Sequence, residues 1–224
     1  MTDVPEWLWP LVGAAGSLRV EQLTHLAVPQ QGGRKAAVLV LFGESADGPD
    51  LLLIERSADL RSHAGQPAFP GGAIEPTDGG PVGAALREAG EETGLDPAGV
   101  EVLATLPELW VPPSGFVVVP VLGWWREPSA VRPVDPAEVA AVVRVPLAQL
   151  AEPTNRVRVR HPSGYTGPAF EVAGLLVWGF TAGLIDRLLA LGGWERPWRP
   201  GQVRRLPAEL RRPVGRTPAP GRTS

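Results

Sequence analysis

The chain has 224 residues, with 21 Lys and Arg against 24 Asp and Glu, which gives a net charge of −3 at pH 7. This length is enough for one domain with a sizeable hydrophobic core and flanking segments. The small net charge gives no sign of general binding to nucleic acids or anionic membranes. The absence of cysteine excludes disulfides, thiolate metal sites and a cysteine nucleophile.

The chain also lacks the usual signals for membrane insertion and secretion. Its longest apolar run, residues 116–125, contains a proline and is far shorter than the roughly 20 residues of a membrane-spanning helix. The N-terminus is acidic, at Asp3 and Glu6, and has no basic region of the kind that opens a secretion signal. The sequence therefore predicts a cytoplasmic protein.

The first 33 residues predict an N-terminal helical segment that ends in a linker rich in Pro and Gly. Residues 5–16 are apolar, and we expect Trp7 and Trp9 to pack on the main domain. Residues 18–25 fit a short helix.

A β-hairpin follows the linker. Residues 35–42 (KAAVLVLF) form a continuous apolar run, which is typical of a buried strand. After a turn at 44–50, residues 51–56 return as a second strand.

Residues 81–93 predict a helix, because the stretch has few helix breakers and Gly94 stands where a helix C-cap belongs. Asp78, before Pro81, supplies an N-terminal capping signal. At about 100° per residue, one face of this helix is apolar. Another face carries three carboxylates at i, i+3 and i+4, namely Glu88, Glu91 and Glu92.

The crowding of these glutamates has two interpretations. Like charges at this spacing repel by a few tenths of a kcal/mol per pair, and the helix dipole disfavours anions in the last turns by roughly 0.3–1 kcal/mol each. Arg87 relieves only part of this repulsion. The residues alone fit either a solvated acidic helix end or a site where carboxylate oxygens bind a hard divalent cation such as Mg²⁺ or Mn²⁺.

The second half of the chain predicts further strands and helices. They are strands at 99–107 and 116–121, a short helix at 145–150 and a closing helix at 181–191. Alternation of Arg and Val over 156–160 predicts an exposed or edge strand. From residue 196 the chain is dominated by Pro, Arg and Gly, so we predict a disordered tail beyond about residue 200.

Taken together, residues 72–95 resemble the box of the Nudix hydrolases. That box runs Gly, five residues, Glu, seven residues, then Arg-Glu-aliphatic-x-Glu-Glu-x-Gly-aliphatic. Here it begins at Gly72, has Asp78 in the first acidic position and reads REAGEETGL over residues 87–95. The chain departs from the pattern in the Asp at 78 and in a spacer, residues 79–86, that is one residue longer.

With its longer spacer, the box of this chain resembles that of the coenzyme A diphosphatase branch of the family. That branch also has an additional upstream signature. That signature is Leu-Leu-x-x-Arg-Ser/Ala, three residues, Arg, three residues, Gly, three residues, Phe-Pro-Gly-Gly. The chain matches it with Leu52, Leu53, Arg56, Ser57, Arg61, Gly65, Phe69, Pro70, Gly71 and Gly72. With looser matches the resemblance extends over roughly residues 35–195.

The resemblance implies an α/β fold, a Nudix-type α/β/α sandwich with a mixed β-sheet and a loop-helix-loop, over residues 34–195. It also implies that Glu88, Glu91 and Glu92 bind Mg²⁺ or Mn²⁺, that Arg87 orients these glutamates, and that backbone near Gly71 and Gly72 shapes the metal pocket. A carboxylate would take the proton of the attacking water; Glu91 is our candidate.

The implied reaction is hydrolysis of coenzyme A to adenosine 3′,5′-bisphosphate and 4′-phosphopantetheine. Arg56 and Arg61 would contact phosphate oxygens, or else form salt bridges to the loop or the glutamate helix. Ser114 and Phe116 would face the substrate, with the ring stacking on adenine, although core packing of Phe116 fits equally well. Glu138 would be a further base or ligand, or simply a solvated residue.

Two other functions stay open at this point. The chain is then either a Nudix hydrolase for another nucleoside diphosphate derivative, such as ADP-ribose or a dinucleotide, or a Nudix module that binds a ligand without catalysis. In each case the expected partner is a small molecule, with no nucleic acid and no membrane, and the sequence does not fix the oligomeric state.

Overall fold

A computed structural model of the chain describes residues 4–29, 32–60, 63–199, 201 and 203–211. The helices are α1 (Trp9–Ala15), α2 (Val20–Leu23), α3 (Pro81–Thr93), α4 (Leu147–Ala151) and α5 (Gly179–Leu191). The strands of the large sheet are β1 (Arg34–Ser45), β2 (Gly48–Arg56), β3 (Pro67–Ala68), β4 (Gly71–Ala73), β5 (Val100–Thr105), β6 (Leu109–Val111), β7 (Phe116–Trp125) and β8 (Val139–Pro146). The strands of a smaller sheet are β9 (Arg156–Arg160), β10 (Thr166–Val172), β11 (Leu175–Val177) and β12 (Arg204–Arg205).

The large sheet has the order β3-β2-β1-β7-β5, with β4 on β1, β6 on β7 and β8 on β2. β1 and β7 are parallel, whereas β1 and β2 form the predicted antiparallel hairpin. The sheet is therefore mixed, as the resemblance implied.

Alternating side chains of β1 divide the core into two layers, because successive residues of a strand point to opposite faces. Ala37, Leu39 and Leu41 pack in a cluster with the buried alanines of α3. Val40 and Phe42 pack on the other side, in a cluster that contains the buried residues of α1 and α5. The predicted α/β/α sandwich is confirmed.

The smaller sheet, which sequence patterns did not predict as a unit, has the order β11-β10-β9-β12. β9 lies between β10 and β12 and is not an edge strand. Its first residue, Arg156, is buried and contacts Asp186 at 2.5 Å and Glu195 at 3.2 Å. The prediction of an exposed strand is therefore wrong at Arg156, because acidic residues distant in sequence neutralise its charge.

Two other predictions need correction. Trp9 is 57% exposed, and its Nε1 donates to the carbonyl of Val4, whereas Trp7 packs against the core as expected. The predicted tail disorder is wrong for residues 203–211, since β12 pairs with β9 and Leu206 is fully buried. A single leucine can order this segment because β9 and β10 already present an apolar face to it.

Residues 212–224 of the predicted tail lie outside the described residues. Within the described part of the chain, no helix combines the length and apolar character needed to cross a membrane.

Candidate active site

The candidate site forms beside β1, at the point where the neighbouring strand on one side changes from β2 to β4. β1 pairs with β2 over Phe42–Ser45 and with β4 over Ala36–Val38. Between these two pairings, the amide of Leu39 donates to the carbonyl of Pro70 at 2.8 Å. The segment 67–73 therefore crosses from β2 to β1, and the C-terminal half of α3 lies against it.

The two glycines of this crossing segment lie close to different neighbours, Gly71 to β1 and Gly72 to α3. A Cβ at Gly71 would overlap the carbonyl oxygen of Ala37, and a Cβ at Gly72 would overlap the carboxylate of Glu88. At Gly71 the overlap is with backbone and φ is +155°, so this position requires glycine. At Gly72 a larger side chain would displace the carboxylate of Glu88.

Glu92 is the most buried of the three glutamates, with 7% of its side chain exposed. The amide of Gly71 donates to its Oε2 at 2.9 Å, and Nη1 of Arg56 lies 3.7 Å from its Oε1. Burial raises the pKa of Glu92 to about 7, although both of these contacts act to lower it. The negative charges of Glu88 and Glu138 raise it further.

Arg87 connects α3 to the loop that precedes it. Its Nε and Nη2 donate to the two carboxylate oxygens of Asp78 at 2.7 and 3.1 Å, and its Nη1 donates to Glu91 at 2.8 Å. Nη2 also lies 3.1 Å from Oε1 of Glu88 and donates to the carbonyl of Ala73 at 3.2 Å. Arg87 therefore contacts Asp78 and two of the three glutamates of α3.

Asp78 does not cap α3, contrary to the N-terminal capping signal in the sequence. The residue before the helix is Gly80, and no side chain caps it. The Asp78 carboxylate instead accepts hydrogen bonds from Arg87 and from the amide of Glu75, and both lower its pKa. The first acidic position of the box thus anchors the arginine.

The three glutamates do not have the same surroundings. Glu88 has 19% of its side chain exposed, and burial raises its pKa while Arg87 acts to lower it. Glu91 is 59% exposed and hydrogen-bonded to Arg87. Glu88 and Glu92 therefore contact the Gly71–Gly72 segment, whereas Glu91 lies on the solvent side of the arginine.

A divalent cation fits the chemistry of these donors. Among the described residues, no three His, Asp or Glu side chains are already grouped in a way that could hold a metal ion. Two largely buried carboxylates nevertheless face the same glycine pair, and burial disfavours the ionised form of both. A hard cation favours carboxylate oxygens and would stabilise that ionised form.

Of the residues predicted to contact substrate, some contact the glutamates of α3 and others contact neighbouring loops and strands. Arg56 contacts Glu92, whereas Arg61 lies outside the described residues. Ser114 donates its hydroxyl to the carbonyl of Val111 at 3.2 Å. One face of the half-buried Phe116 ring is covered by the guanidinium of Arg34 at 4.0 Å, a contact that sequence patterns did not predict.

Glu138 lies near the site although its side chain is exposed. Its backbone carbonyl accepts a hydrogen bond at 2.8 Å from the amide of Ser57, the residue that follows Arg56. The negative charge of the Glu138 side chain raises the pKa of Glu92. His63 forms a hydrogen bond with Gln66 at 2.9 Å within the loop that follows β2.

Comparisons with known proteins agree with this fold. The model of the NUDIX domain family matches residues 33–163. A protein named "Uncharacterized Nudix hydrolase NudL" from Citrobacter koseri is 42% identical over 185 residues, which cover 77% of this chain and 92% of the relative. The protein of the same name from Cronobacter sakazakii is 42% identical over 171 residues, which cover 73% of this chain and 85% of the relative.

A solved structure, the Nudix hydrolase RenU from M. smegmatis, has a similar fold. Its TM-score is 0.52 at 23% identity, and the match covers 73% of this chain and 88% of RenU. The chain belongs to the Nudix family, and with relatives named Nudix hydrolases it is an enzyme of the diphosphatase type.

Proposed function

We propose that this Nudix hydrolase cleaves the phosphoanhydride of coenzyme A, or of a coenzyme A derivative, to adenosine 3′,5′-bisphosphate and 4′-phosphopantetheine. The observation that carries the proposal is the contact of Arg56 with Glu92 at 3.7 Å. Arg56 belongs to the upstream signature that resembles the coenzyme A branch, and Glu92 belongs to the Nudix box. The two motifs therefore contribute to one site.

Glu88, Glu91 and Glu92 would hold Mg²⁺ or Mn²⁺ in this proposal. When bound, the cation supplies positive charge that stabilises the phosphoryl oxygens as the anhydride breaks. Arg87 fixes two of the three carboxylates by direct contacts with Glu88 and Glu91. Its own bidentate contact with Asp78 limits its movement.

The protein's residues perform the other parts of the reaction. Glu91, the most exposed of the three glutamates, accepts the proton of the attacking water. A new P–O bond forms to the water oxygen, the bridging P–O bond breaks, and the bridging oxygen leaves with the second phosphate. Arg56 and Arg61 bind phosphate oxygens through charge-assisted hydrogen bonds.

The adenine end of the substrate would lie near Ser114 and Phe116. Because Arg34 covers one face of the Phe116 ring, a stacked base needs the other face or the guanidinium plane itself. A cytoplasmic location also remains our proposal, on the basis of the cysteine-free sequence.

A different nucleoside diphosphate derivative, such as ADP-ribose, is the main alternative, since the names of the relatives specify no substrate. A module that binds ligand without catalysis is disfavoured by the retained Arg87 and by the three glutamates.

Turnover of coenzyme A, ADP-ribose and NADH at equal concentrations, with Mg²⁺ and with Mn²⁺, tests the proposed substrate. We expect kcat/KM for coenzyme A to exceed the other two by about tenfold or more, a difference of about 1.4 kcal/mol in transition-state binding. Arg56→Gln should reduce the value for coenzyme A, and Arg126→Gln, which removes an exposed arginine paired with Glu127, serves as the matched control. Similar poor rates on all three substrates would refute the assignment.

A further inference from the structure

The C-terminal segment, defined as residues 203–210, folds back onto the smaller sheet. Arg204 and Arg205 pair in parallel with β9, and the amide of Leu206 donates to the carbonyl of Arg160 at 3.1 Å. The Leu206 side chain is fully buried in a cluster with Val157, Val159 and Ala169. Leu206 therefore anchors this segment firmly on β9.

Leu210 extends the same segment to the turn that follows β2. A Cβ on Gly65 would lie 3.8 Å from Cδ2 of Leu210, which is ordinary van der Waals distance. Leu210 also packs against the cluster that buries Leu206. One end of the C-terminal segment is thus fixed on the sheet, and the other end lies against the turn at Gly65.

The turn at residues 63–66, called the Gly65 turn, fixes the backbone of Arg56. The amide of Gly65 donates to the carbonyl of Arg56 at 3.0 Å, and the amide of Arg56 donates to the carbonyl of Gln66 at 3.1 Å. These two hydrogen bonds close the loop at the residue whose guanidinium contacts Glu92. A movement of the turn would therefore move Arg56.

The turn has a conformation that needs external support. Gly65 has φ +65°, and His63, which is not glycine, has φ +56°. A non-glycine residue in this region is uncommon and persists when its surroundings hold it. The hydrogen bond between His63 and Gln66 supplies support within the turn, and the Leu210 side chain lies beside Gly65 on its outer side.

We propose that the C-terminal segment is a positioning element for the substrate site, with Leu210 as the positioning residue that holds the Gly65 turn and hence Arg56. The proposal rests on the proposed function only in assigning Arg56 to substrate binding. It predicts that a segment more than a hundred residues beyond the Nudix helix controls substrate affinity without contacting the glutamates.

Leu210→Ala tests this role in the full-length chain, with residue-resolved amide exchange as the first measurement. We expect exchange at Arg56 and Gly65 to accelerate by about tenfold, with little change in the central residues of β1 and α5. KM for coenzyme A should rise by about fivefold or more, with a smaller change in kcat, because the displaced Arg56 binds substrate and the contacts of Arg87 with Glu88 and Glu91 are unchanged.

Two control variants separate positioning from general packing. Leu210→Met keeps the volume and should restore slow exchange and the original KM. Val203→Ala changes an exposed valine of the same segment, 40% exposed, and should alter neither quantity.

Unchanged exchange at Arg56 and Gly65 in Leu210→Ala would overturn the proposal. Equal acceleration in β1 and α5 would also overturn it, because the effect would then be global destabilisation. Local acceleration in a protein that does not hydrolyse coenzyme A would support the positioning role while the proposed substrate fails.

Discussion

Helices α3 and α5 have 13 residues each and pack on opposite faces of the same sheet, but they bury different side chains. α5 buries mostly large apolar residues: Thr181, Ala182, Leu184, Ile185, Leu188 and Leu189. α3 buries small residues and a carboxylic acid: Ala84, Ala85, Ala89, Glu92 and Thr93. The large apolar side chains of α5 stabilise the fold. The small side chains and the buried acid of α3 contribute less stability and form part of the candidate active site.

The close approach of α3 to the crossing segment explains both its buried alanines and the burial of Glu92. Small side chains let the helix approach the crossing segment, where the carboxylate of Glu88 occupies the space beside Gly72. The same close approach removes Glu92 from water, which disfavours its charge. α3 therefore depends on Arg87 to offset a repulsion among its carboxylates that α5 does not have. In the proposed function, a bound cation would offset it further.

The largest effect is expected from removing the charge of a glutamate in α3. Glu92→Gln and Glu91→Gln should each lower metal-dependent kcat/KM by about a hundredfold or more, because each loses an anionic oxygen that the site uses. Turnover and circular dichroism, measured on the same samples, separate catalysis from folding. Near-normal turnover by both variants would contradict the assigned roles.

The corresponding change in α5 should affect folding and leave catalysis intact. Leu188→Ala should lower the free energy of unfolding by about 2–5 kcal/mol, since it leaves a cavity in the core. Urea unfolding measures this, and kcat/KM of the folded enzyme should stay at the wild-type value. Arg187→Ala, at the neighbouring exposed position, should change stability by less than about 0.5 kcal/mol.

The buried acid of α3 should make stability depend on pH in the metal-free protein. The unfolded chain releases the Glu92 proton near the usual pKa of 4.5, whereas the folded chain retains it until the pKa of about 7. The free energy of unfolding should therefore fall as pH rises from 4.5 through 7, by up to about 3 kcal/mol from this group.

Glu92→Gln should remove that decrease and be the more stable protein at pH 8 in the presence of a chelator. Urea unfolding at pH 5 and pH 8 measures the difference, with Glu127→Gln, an exposed residue, as the control. Equal pH dependence in wild type and Glu92→Gln would show that the acid is not held in its protonated form.

The smallest effect concerns the charges that surround Glu92. Glu88→Gln should lower the pKa of Glu92 more than Glu138→Gln does, because Glu88 is largely buried and Glu138 is exposed to screening solvent. A carboxyl-carbon NMR titration of the metal-free variants measures both values. The opposite order would mean that Glu138 lies closer to the site in solution.

Local sequence patterns predicted the part of the site that depends on one helix. The bounds 81–93 and the C-cap at Gly94 are confirmed, since the αL conformation of Gly94 is a local requirement. The strands at 35–42 and 51–56 and the closing helix at 181–191 are also confirmed, with extended ends. The sandwich fold followed from the resemblance, and the domain limits 34–195 stay a prediction.

Contacts between residues distant in sequence could not be predicted in the same way. Asp is a residue type typical of helix N-caps, so local sequence suggests that role for Asp78. Its contact with Arg87 depends on the folded loop. Leu206 follows a run of Pro, Gly and Arg, and its burial depends on an apolar face some fifty residues earlier. The contact of Arg34 with Phe116 requires the parallel pairing of β1 and β7, for which neither segment has a local signal.

The most direct test of the proposed function is digestion of coenzyme A in ¹⁸O-labelled water with Mg²⁺ or Mn²⁺, followed by mass spectrometry of the products. We predict adenosine 3′,5′-bisphosphate and 4′-phosphopantetheine, with one ¹⁸O atom in only one of the two, and about a hundredfold slower product formation by Glu92→Gln. Intact coenzyme A beside efficient cleavage of ADP-ribose would contradict the proposed substrate, and cleavage that proceeds equally well in a chelator would contradict the metal site.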